Sequence, residues 1–285
     1  MKISDAIKSA ASQLAMADVP NAAKEAGSLL QFAIARDRAF VVAHPEYDLT
    51  EQERAIFTDA VTRRAARAPF QQITGRQEFY GLDFIVTPDV LIPRPETEIL
   101  VERAIEIVGD REARSLDIGV GSGCISVAVL KNCPKATGLA VDVSEAAIAI
   151  AKGNATMHGV NDRLNIEISN VYDDIRAERF DLIVSNPPYV PAADIDTLQP
   201  EVRDHEPHVA LTDGSTGLSI IERIVSGAPQ HLKANGSLLV EIGFGQSEKV
   251  VQLFERGRWA SVEVLPDLQG IPRIVVAQID RTSTS

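Results

Sequence analysis

Ser185-Asn186-Pro187-Pro188-Tyr189 closes an apolar run, Phe180-Asp181-Leu182-Ile183-Val184, that reads as a buried strand. Asn186 thus stands at a strand end, and the two prolines behind it remove two backbone donors and fix φ, which leaves a stiff turn with carbonyls free to accept. The Asn186 side-chain oxygen and a carbonyl such as that of Pro187 can together take both hydrogens of one planar NH2 group. Tyr189 can stack on such a group or face a cation. Asn-Pro also opens ordinary turns, so the stretch by itself leaves a ligand clamp and a plain strand-ending turn equally open.

A second constellation lies upstream. Leu116-Asp117-Ile118 runs into Gly119-Val120-Gly121-Ser122-Gly123, and residues 124–131 then read as a helix. A glycine-rich turn there lets a ligand approach the backbone at the positive end of the helix dipole. The following strand, residues 138–141, ends at Asp142, about the offset at which a carboxylate takes the ribose hydroxyls of a nucleotide cofactor. The structural alternatives are a tight turn made by the glycines and a helix cap, from Ser144 on, supplied by Asp142. Because the spacing is Gly-x-Gly-x-Gly and not Gly-x-Gly-x-x-Gly, an adenosine ligand without phosphates fits better than a dinucleotide. S-adenosylmethionine is such a ligand. Its methyl is already activated, so the chemistry needs chiefly a nucleophile held in line and water kept out. NH2 groups of the right shape are adenine N6, cytosine N4 and the carboxamide of glutamine, the last a delocalised nucleophile that needs polarisation and desolvation.

These residues need strand ends to hold them, and the chain supplies strands and helices in alternation from Arg114 onward. Beyond those above, a helix is expected over residues 144–158, a strand over 164–168, a long connection over 190–213 and a helix through His231. Strands over 237–242, 261–265 and 274–279 follow, with a helix from Gln246 between the first two. The fold class is α/β: a Rossmann-like, mostly parallel twisted sheet with ligands beyond the carboxyl ends of its strands, where Gly119, Asp142 and Asn186 all fall. Ahead of it, residues 3–68 carry helical patterning around Leu29 and Leu30, with a Thr50 N-cap and Glu53 closing a capping box. Arg63, Arg64 and Arg67 suit a helix C-terminus, with an anionic or partner contact as the other reading. Three regions result: 1–70 as a small helical domain, 71–95 as a linker built on a β-hairpin, and 96–285 as the sheet domain. In the linker, Gln77 to Val86 reads as the hairpin, and Leu91-Ile92-Pro93-Arg94-Pro95-Glu96-Thr97-Glu98 holds Arg94 in extended backbone, placed to line a cleft. The polar end, residues 281–285, is expected to fray.

Composition narrows the partners. The chain has 285 residues with 45% hydrophobic content, enough for a sizeable core, and its 28 basic against 40 acidic residues give a net charge of -12. That balance disfavours a phosphate backbone as partner. No opening leader pattern and no apolar run of the ~18 residues a membrane helix requires are present, so the expectation is a cytoplasmic protein without membrane contact. Cys124 and Cys133 read as reduced packing residues.

Taken together, Gln72-Ile73-Thr74-Gly75, the Leu91 to Glu98 segment, the Leu116 to Gly123 run and Ser185 to Tyr189 resemble the PrmC/HemK family of release-factor glutamine N5-methyltransferases. The likeness runs from the Leu29-Leu30 helix to Gly270-Ile271-Pro272-Arg273 and includes Glu206-Pro207-His208-Val209-Ala210-Leu211. Asn-Pro-Pro-Tyr alone is shared with nucleic-acid amino-methyltransferases; the proline-arginine-proline segment is more specific. The resemblance implies that Gly119, Val120, Gly121, Ser122, Gly123 and Asp142 hold S-adenosylmethionine, leaving S-adenosylhomocysteine as product. It implies that Asn186, Pro187, Pro188 and Tyr189 are catalytic and hold the substrate glutamine with Arg94, and that Asn186 also touches the cofactor. The substrate it implies is the Gly-Gly-Gln loop of class 1 peptide chain release factors, with the helical domain docking that partner. Two departures stand out. Asn170 and Val171 occupy the place of an acidic and an aromatic residue, so Asn170 could bond the adenine edge while stacking is lost. His205 stands where Tyr is common. Asp204, His205, Glu206 and His208 together suggest a metal, but their match to the family's Glu-Pro-x-x-Ala-Leu run makes this a structural loop, and no metal is expected. An adenine-N6 methyltransferase and a non-catalytic cofactor-dependent binding protein remain as competing readings; the first would want a basic groove.

Overall fold

The computed structural model describes residues 1–175, 178–254 and 259–280; the segment expected to fray, 281–285, lies outside them. The described chain divides into two compact units. The smaller comprises residues 1–75 and 199–205, and the larger 76–198 and 206–285.

The smaller unit is helical, built on Ile3–Met16, Ala22–Ile34, Arg38–Ala43 and Glu51–Ala65. Its core collects Ile3, Leu14, Leu29, Leu30 and Phe57, all nearly without exposure. The capping box forms as the sequence suggests: the Glu53 N–H donates to Thr50 Oγ1 at 3.2 Å and the Thr50 N–H to Glu53 Oε2 at 2.8 Å. The arginine cluster is more than complement to a helix dipole. Arg64 is buried, its Nε 2.8 Å from Glu25 Oε2 and its Nη1 3.0 Å from Glu201 Oε1, while Arg67 grips Glu201 with Nε and Nη2, each at 2.8 Å. These arginines hold Glu201 well down, at about 2. Sequence spacing did not announce that a segment so distant, residues 199–205, joins this unit.

In the larger unit, the strands are β1 Arg76–Phe79, β2 Leu82–Ile85, β3 Arg114–Ile118, β4 Thr137–Asp142, β5 Leu164–Ile168, β6 Phe180–Ser185, β7 Leu232–Glu241, β8 Trp259–Pro266 and β9 Pro272–Ile279. β1 and β2 form a hairpin; the other seven make one sheet in the order β5-β4-β3-β6-β7-β9-β8. The first four neighbour pairs are parallel and the last two antiparallel. Strands with both faces covered read as continuous apolar runs, which is why β3, β4, β6 and the end of β7 were visible. β7 starts five residues earlier than the apolar run 237–242, because buried Leu232 already pairs with Phe180 while residues 233–235, with Asn235 at φ 60°, are exposed and the register shifts between Phe180 and Leu182. The hairpin is fastened to this unit: Asn154, buried in the helix Glu145–Met157, donates from Nδ2 to the Ile85 carbonyl and accepts the Ile85 N–H at Oδ1. The Tyr80 N–H also bonds Glu98 at 2.8 Å.

The strand order reverses beside β3, whose neighbours are β4 on one side and β6 on the other. In open α/β sheets that reversal leaves a crevice beyond the carboxyl ends. The loops after β3, β4 and β6 meet there.

Candidate active site

A cavity of about 310 Å³ opens at this crevice, lined by the loops after β3, β4, β5 and β6, by residues 89–97 and by residues 207–213. Of the residues expected to act, Gly119, Val120, Gly121, Ser122, Asp142, Asn170, Val171, Asn186, Pro187, Pro188 and Arg94 all line it. Gly123 and Tyr189 do not line the cavity.

The glycine turn has a left-handed backbone at each of its three glycines, φ 79° at Gly119, 52° at Gly121 and 83° at Gly123. Gly123 carries a second constraint, since a Cβ there would come within 3.2 Å of the Ala151 side chain, so this glycine packs the loop against the next helix. It also begins the helix Cys124–Asn132 without a side-chain cap, which leaves first-turn N–H groups for a ligand. Asp142 does part of what both readings required. Its Oδ2 accepts the Gly121 N–H at 2.9 Å and its Oδ1 the Ser144 N–H at 3.0 Å, while the helix itself is capped by Ser144. Loop and carboxylate are therefore one preset cradle, and Asp142, with acceptor capacity left over, lines the cavity. The Asn154 Nδ2 also donates to the Ser122 carbonyl at 2.8 Å, so one buried amide ties the cradle to the hairpin.

Asn170 does not offer its oxygen to the cavity, because Arg223 donates to Oδ1 at 2.9 Å and to the backbone carbonyl at 3.1 Å. Its Nδ2 is the group that can meet an adenine edge. Val171 is buried at φ 62°, an uncommon conformation for a β-branched residue, and presents an apolar wall with Val143 where stacking was expected to be lost.

At the turn after β6, Ser185 donates its hydroxyl to the Ile118 carbonyl at 2.7 Å, locking the end of β6 to the end of β3. Asn186 donates Nδ2–H to Thr97 Oγ1 at 3.1 Å, and the Thr97 hydroxyl donates to Glu241 Oε2 at 2.7 Å. Tyr189 departs from expectation. Its ring packs against the apolar core and its hydroxyl donates to Glu241 Oε1 at 3.2 Å, so it anchors the turn to the end of β7. Its carbonyl accepts from Gln246 Nε2 at 2.8 Å, and Gly217 lies so close that a Cβ would sit 2.1 Å from that carbonyl oxygen. Burial pushes the Tyr189 hydroxyl up and raises Glu241 to about 7.

Arg94 lines the cavity, but its Nη2 is paired with Glu206 at 2.6 Å, and Glu206 also accepts the Ile92 N–H. Thus the proline-arginine-proline segment and the Glu206-Pro207 segment are clamped to each other, and burial raises the Glu206 carboxyl against Arg94's opposing pull. Among the described residues no cluster able to hold a metal ion is present, and no helix is long and apolar enough to cross a membrane.

The sequence reading gave no task to Thr97, Ser185 and Glu241, which it met only as members of longer runs, nor to Asn154. A polar residue at a buried position of an Ala-rich helix (Asn154), or closing an apolar strand (Glu241), was the available signal.

Backbone donors at a helix start, a carboxylate one strand along, apolar walls and no phosphate-sized ring of cations suit an adenosyl group bearing an amino acid. The fold and the cradle are those of an S-adenosylmethionine-dependent methyltransferase. Residues 95–200 match the methyltransferase small domain and residues 5–75 the PrmC N-terminal domain. The chain is 45% identical over 266 residues to the release factor glutamine methyltransferase of Geobacter sulfurreducens, covering 93% of each chain. It is 42% identical to that of Koribacter versatilis over 98% of this chain and 99% of the relative, and 44% identical to that of Cereibacter sphaeroides over 98% and 99%. The chain belongs to the release factor glutamine methyltransferase family. Among solved structures, the hMettl16 catalytic domain in complex with a MAT2A 3'UTR hairpin matches with TM-score 0.58 at 16% identity, covering 78% of this chain and 82% of that one. A methyltransferase from Pyrococcus furiosus matches at TM-score 0.52 and 17% identity, over 81% and 100%. At these identities the likeness is one of fold.

Proposed function

We propose that this enzyme methylates the side-chain amide nitrogen, N5, of the glutamine in the Gly-Gly-Gln loop of class 1 peptide chain release factors. The observation that carries the reading is the orientation of Asn186: with Nδ2 donated to Thr97, its Oδ1 is left to accept, and Pro187, whose carbonyl is the second acceptor of the reading, lines the same cavity. Two acceptors on a rigid turn suit the two hydrogens of an NH2 group and hold its nitrogen so that the lone pair faces one direction. Bound S-adenosylmethionine supplies the electrophilic methyl. The Gly119 to Ser122 backbone and Asp142 hold it, and Val143 and Val171 keep water from one side. With that methyl supplied, the amide nitrogen held by Asn186 and Pro187 would take it, the C–S electron pair would stay with S-adenosylhomocysteine, and the proton lost from nitrogen would pass to solvent water.

A protein amide is favoured over a nucleic-acid base by charge. Among the described residues lining the cavity the cation is Arg94, already paired with Glu206, while Asp89, Asp142 and Asp213 line it as well. A phosphate backbone finds no counter-charge there. Docking of the partner falls to the helical unit, on the match of residues 5–75 to the family's N-terminal domain; a release factor as substrate implies a cytoplasmic enzyme.

The test is methyl label from S-adenosylmethionine, purified release factor, and mapping of the modified residue. Label on the Gly-Gly-Gln glutamine supports the reading; label on nucleic acid and none on release factor overturns it, and binding without transfer points to a non-catalytic role.

A further inference from the structure

Asn186, Thr97, Glu241 and Tyr189 form a closed circuit, and its hydrogen-bond directions are constrained. An ionised carboxylate only accepts. Glu241 Oε2 lies 2.7 Å from Thr97 Oγ1, so the single hydroxyl proton of Thr97 is spent on Glu241. What Thr97 Oγ1 shows to Asn186 is then lone pairs, which fixes Nδ2 at the 3.1 Å contact and turns Oδ1 the other way. The reversed amide would set oxygen against oxygen. The other carboxylate oxygen accepts from the Tyr189 hydroxyl, so one group steadies both ends of the Asn186–Tyr189 turn. Thr97 and Glu241 are both about 2% exposed, which keeps water from offering Asn186 a substitute partner.

Resting on the glutamine reading above, we propose that Thr97 and Glu241 are positioning residues that set the polarity of the Asn186 amide, so that the turn presents two acceptors and selects an NH2-bearing group. The circuit is proton-linked. A protonated Glu241 can donate to Thr97 Oγ1; the Thr97 hydroxyl is then free to donate to Asn186, whose amide can turn its Nδ2 outward and repel an incoming NH2. The groups facing Glu241 are Thr97 and Glu96 before the helix Glu98–Val108, Tyr189 after β6, Arg273 on β9 and Cys124 at the start of the helix behind the glycine turn. Arg273 favours the charged form and Glu96 opposes it; burial outweighs both and brings the carboxyl to about 7.

Two measurements on the full-length protein decide this. The first is kcat against pH with S-adenosylmethionine and release factor, for wild type, Thr97→Val and Thr97→Ser. The wild-type kcat should rise about tenfold per pH unit below 7 and level off above it, one proton being lost. Thr97→Val should lower kcat about a hundredfold, abolish that rise and keep cofactor affinity within about twofold, while Thr97→Ser restores both rate and rise. Wild-type turnover in Thr97→Val overturns the relay. The second needs no substrate: in the S-adenosylhomocysteine complex, the Asn186 side-chain amide resonances should shift across the same pH range in wild type and not in Thr97→Val. Resonances indifferent to pH in wild type overturn the relay. If wild type places no label on a release factor glutamine, the functional reading falls, and the resonance measurement still decides the relay by itself.

Discussion

Asn186 touches nothing that could act as a strong base, so its contribution is orientation, and orientation is lost with its side chain. Asn186→Ala should lower kcat by about 100-fold or more, the scale of removing one preset polar contact in a water-poor site, with cofactor affinity changed less than about threefold by calorimetry. Unchanged turnover would remove Asn186 from the mechanism. Arg94 behaves differently from what its place in the cavity suggests. Its partner Glu206 has a side chain only 1% exposed, so Arg94→Ala strands a buried carboxylate. The expected cost is ~2 kcal/mol, toward the low end for a buried pair because the Arg94 side chain is itself 30% exposed. Glu206→Gln should cost less, a comparison that denaturant unfolding can make. If Arg94 chiefly gripped substrate, Arg94→Ala would instead raise KM and leave stability unchanged. Asn186, Pro187 and Asp142 were legible because they sit at the ends of apolar runs. Glu206 could be quoted as part of a motif, yet its task depended on a partner more than a hundred positions away, which no local pattern reveals.

The elements divide along the same line. β3, β4 and β6 announced themselves by continuous apolar residues, and the turns after them by glycine and proline, so the cradle and the clamp were readable as strand ends. What holds those ends together was not, because it consists of single polar side chains crossing between elements: Ser185 from β6 to β3, Asn154 from its helix to the glycine turn and the hairpin. Asn154→Ala removes three hydrogen bonds made by a buried side chain, about 1 kcal/mol each, and should lower stability by ~3 kcal/mol. Because Ser122 belongs to the cradle, cofactor affinity should fall as well, about tenfold. Gly217→Ala tests the other end. At φ 76° and with a Cβ 2.1 Å from the Tyr189 carbonyl oxygen, alanine can be accommodated only if the backbone of the catalytic turn moves. Methyl transfer should drop by more than tenfold while cofactor binding, made by other loops, survives; equal turnover in Gly217→Ala and wild type would mean the turn tolerates displacement.

Across the molecule, carboxyl groups with shifted titration fall into two sets that pull stability in opposite directions with pH. Glu201, held by Arg64 and Arg67, and Asp213, bonded by the Ser215, Gly217 and Ser219 N–H groups and the Ser219 hydroxyl, are both lowered to about 2. Such groups contribute stability that is complete above their unfolded values near 4 and is lost as pH falls toward 2. Asp117 and Glu241 are raised by burial, to about 6 and about 7. For these the folded state holds the proton more tightly than the unfolded chain, so their contribution is full below pH 4 and disappears as pH climbs to 6 and 7. His231, lowered by burial, works the other way below its ordinary 6.5 and softens the decline without cancelling two carboxyls. The melting temperature should therefore peak at about pH 4, falling on the acid side as Glu201 and Asp213 are protonated and on the neutral side as Asp117 and Glu241 ionise. Glu241→Gln removes one of the titrations on the neutral side, where Asp117 and the raised Glu206 carboxyl also ionise. Its melting temperature should vary less between pH 5 and 7.5 than that of wild type, and parallel wild-type and variant curves over that interval would show that Glu241 is ionised throughout. The enzyme then keeps near pH 7 a carboxylate that burial disfavours, bonded to Thr97 and Tyr189 and through Thr97 to Asn186, and the proposal above gives the cost a use: the ionised form is the one that would hold the Asn186 amide with its oxygen turned away from Thr97.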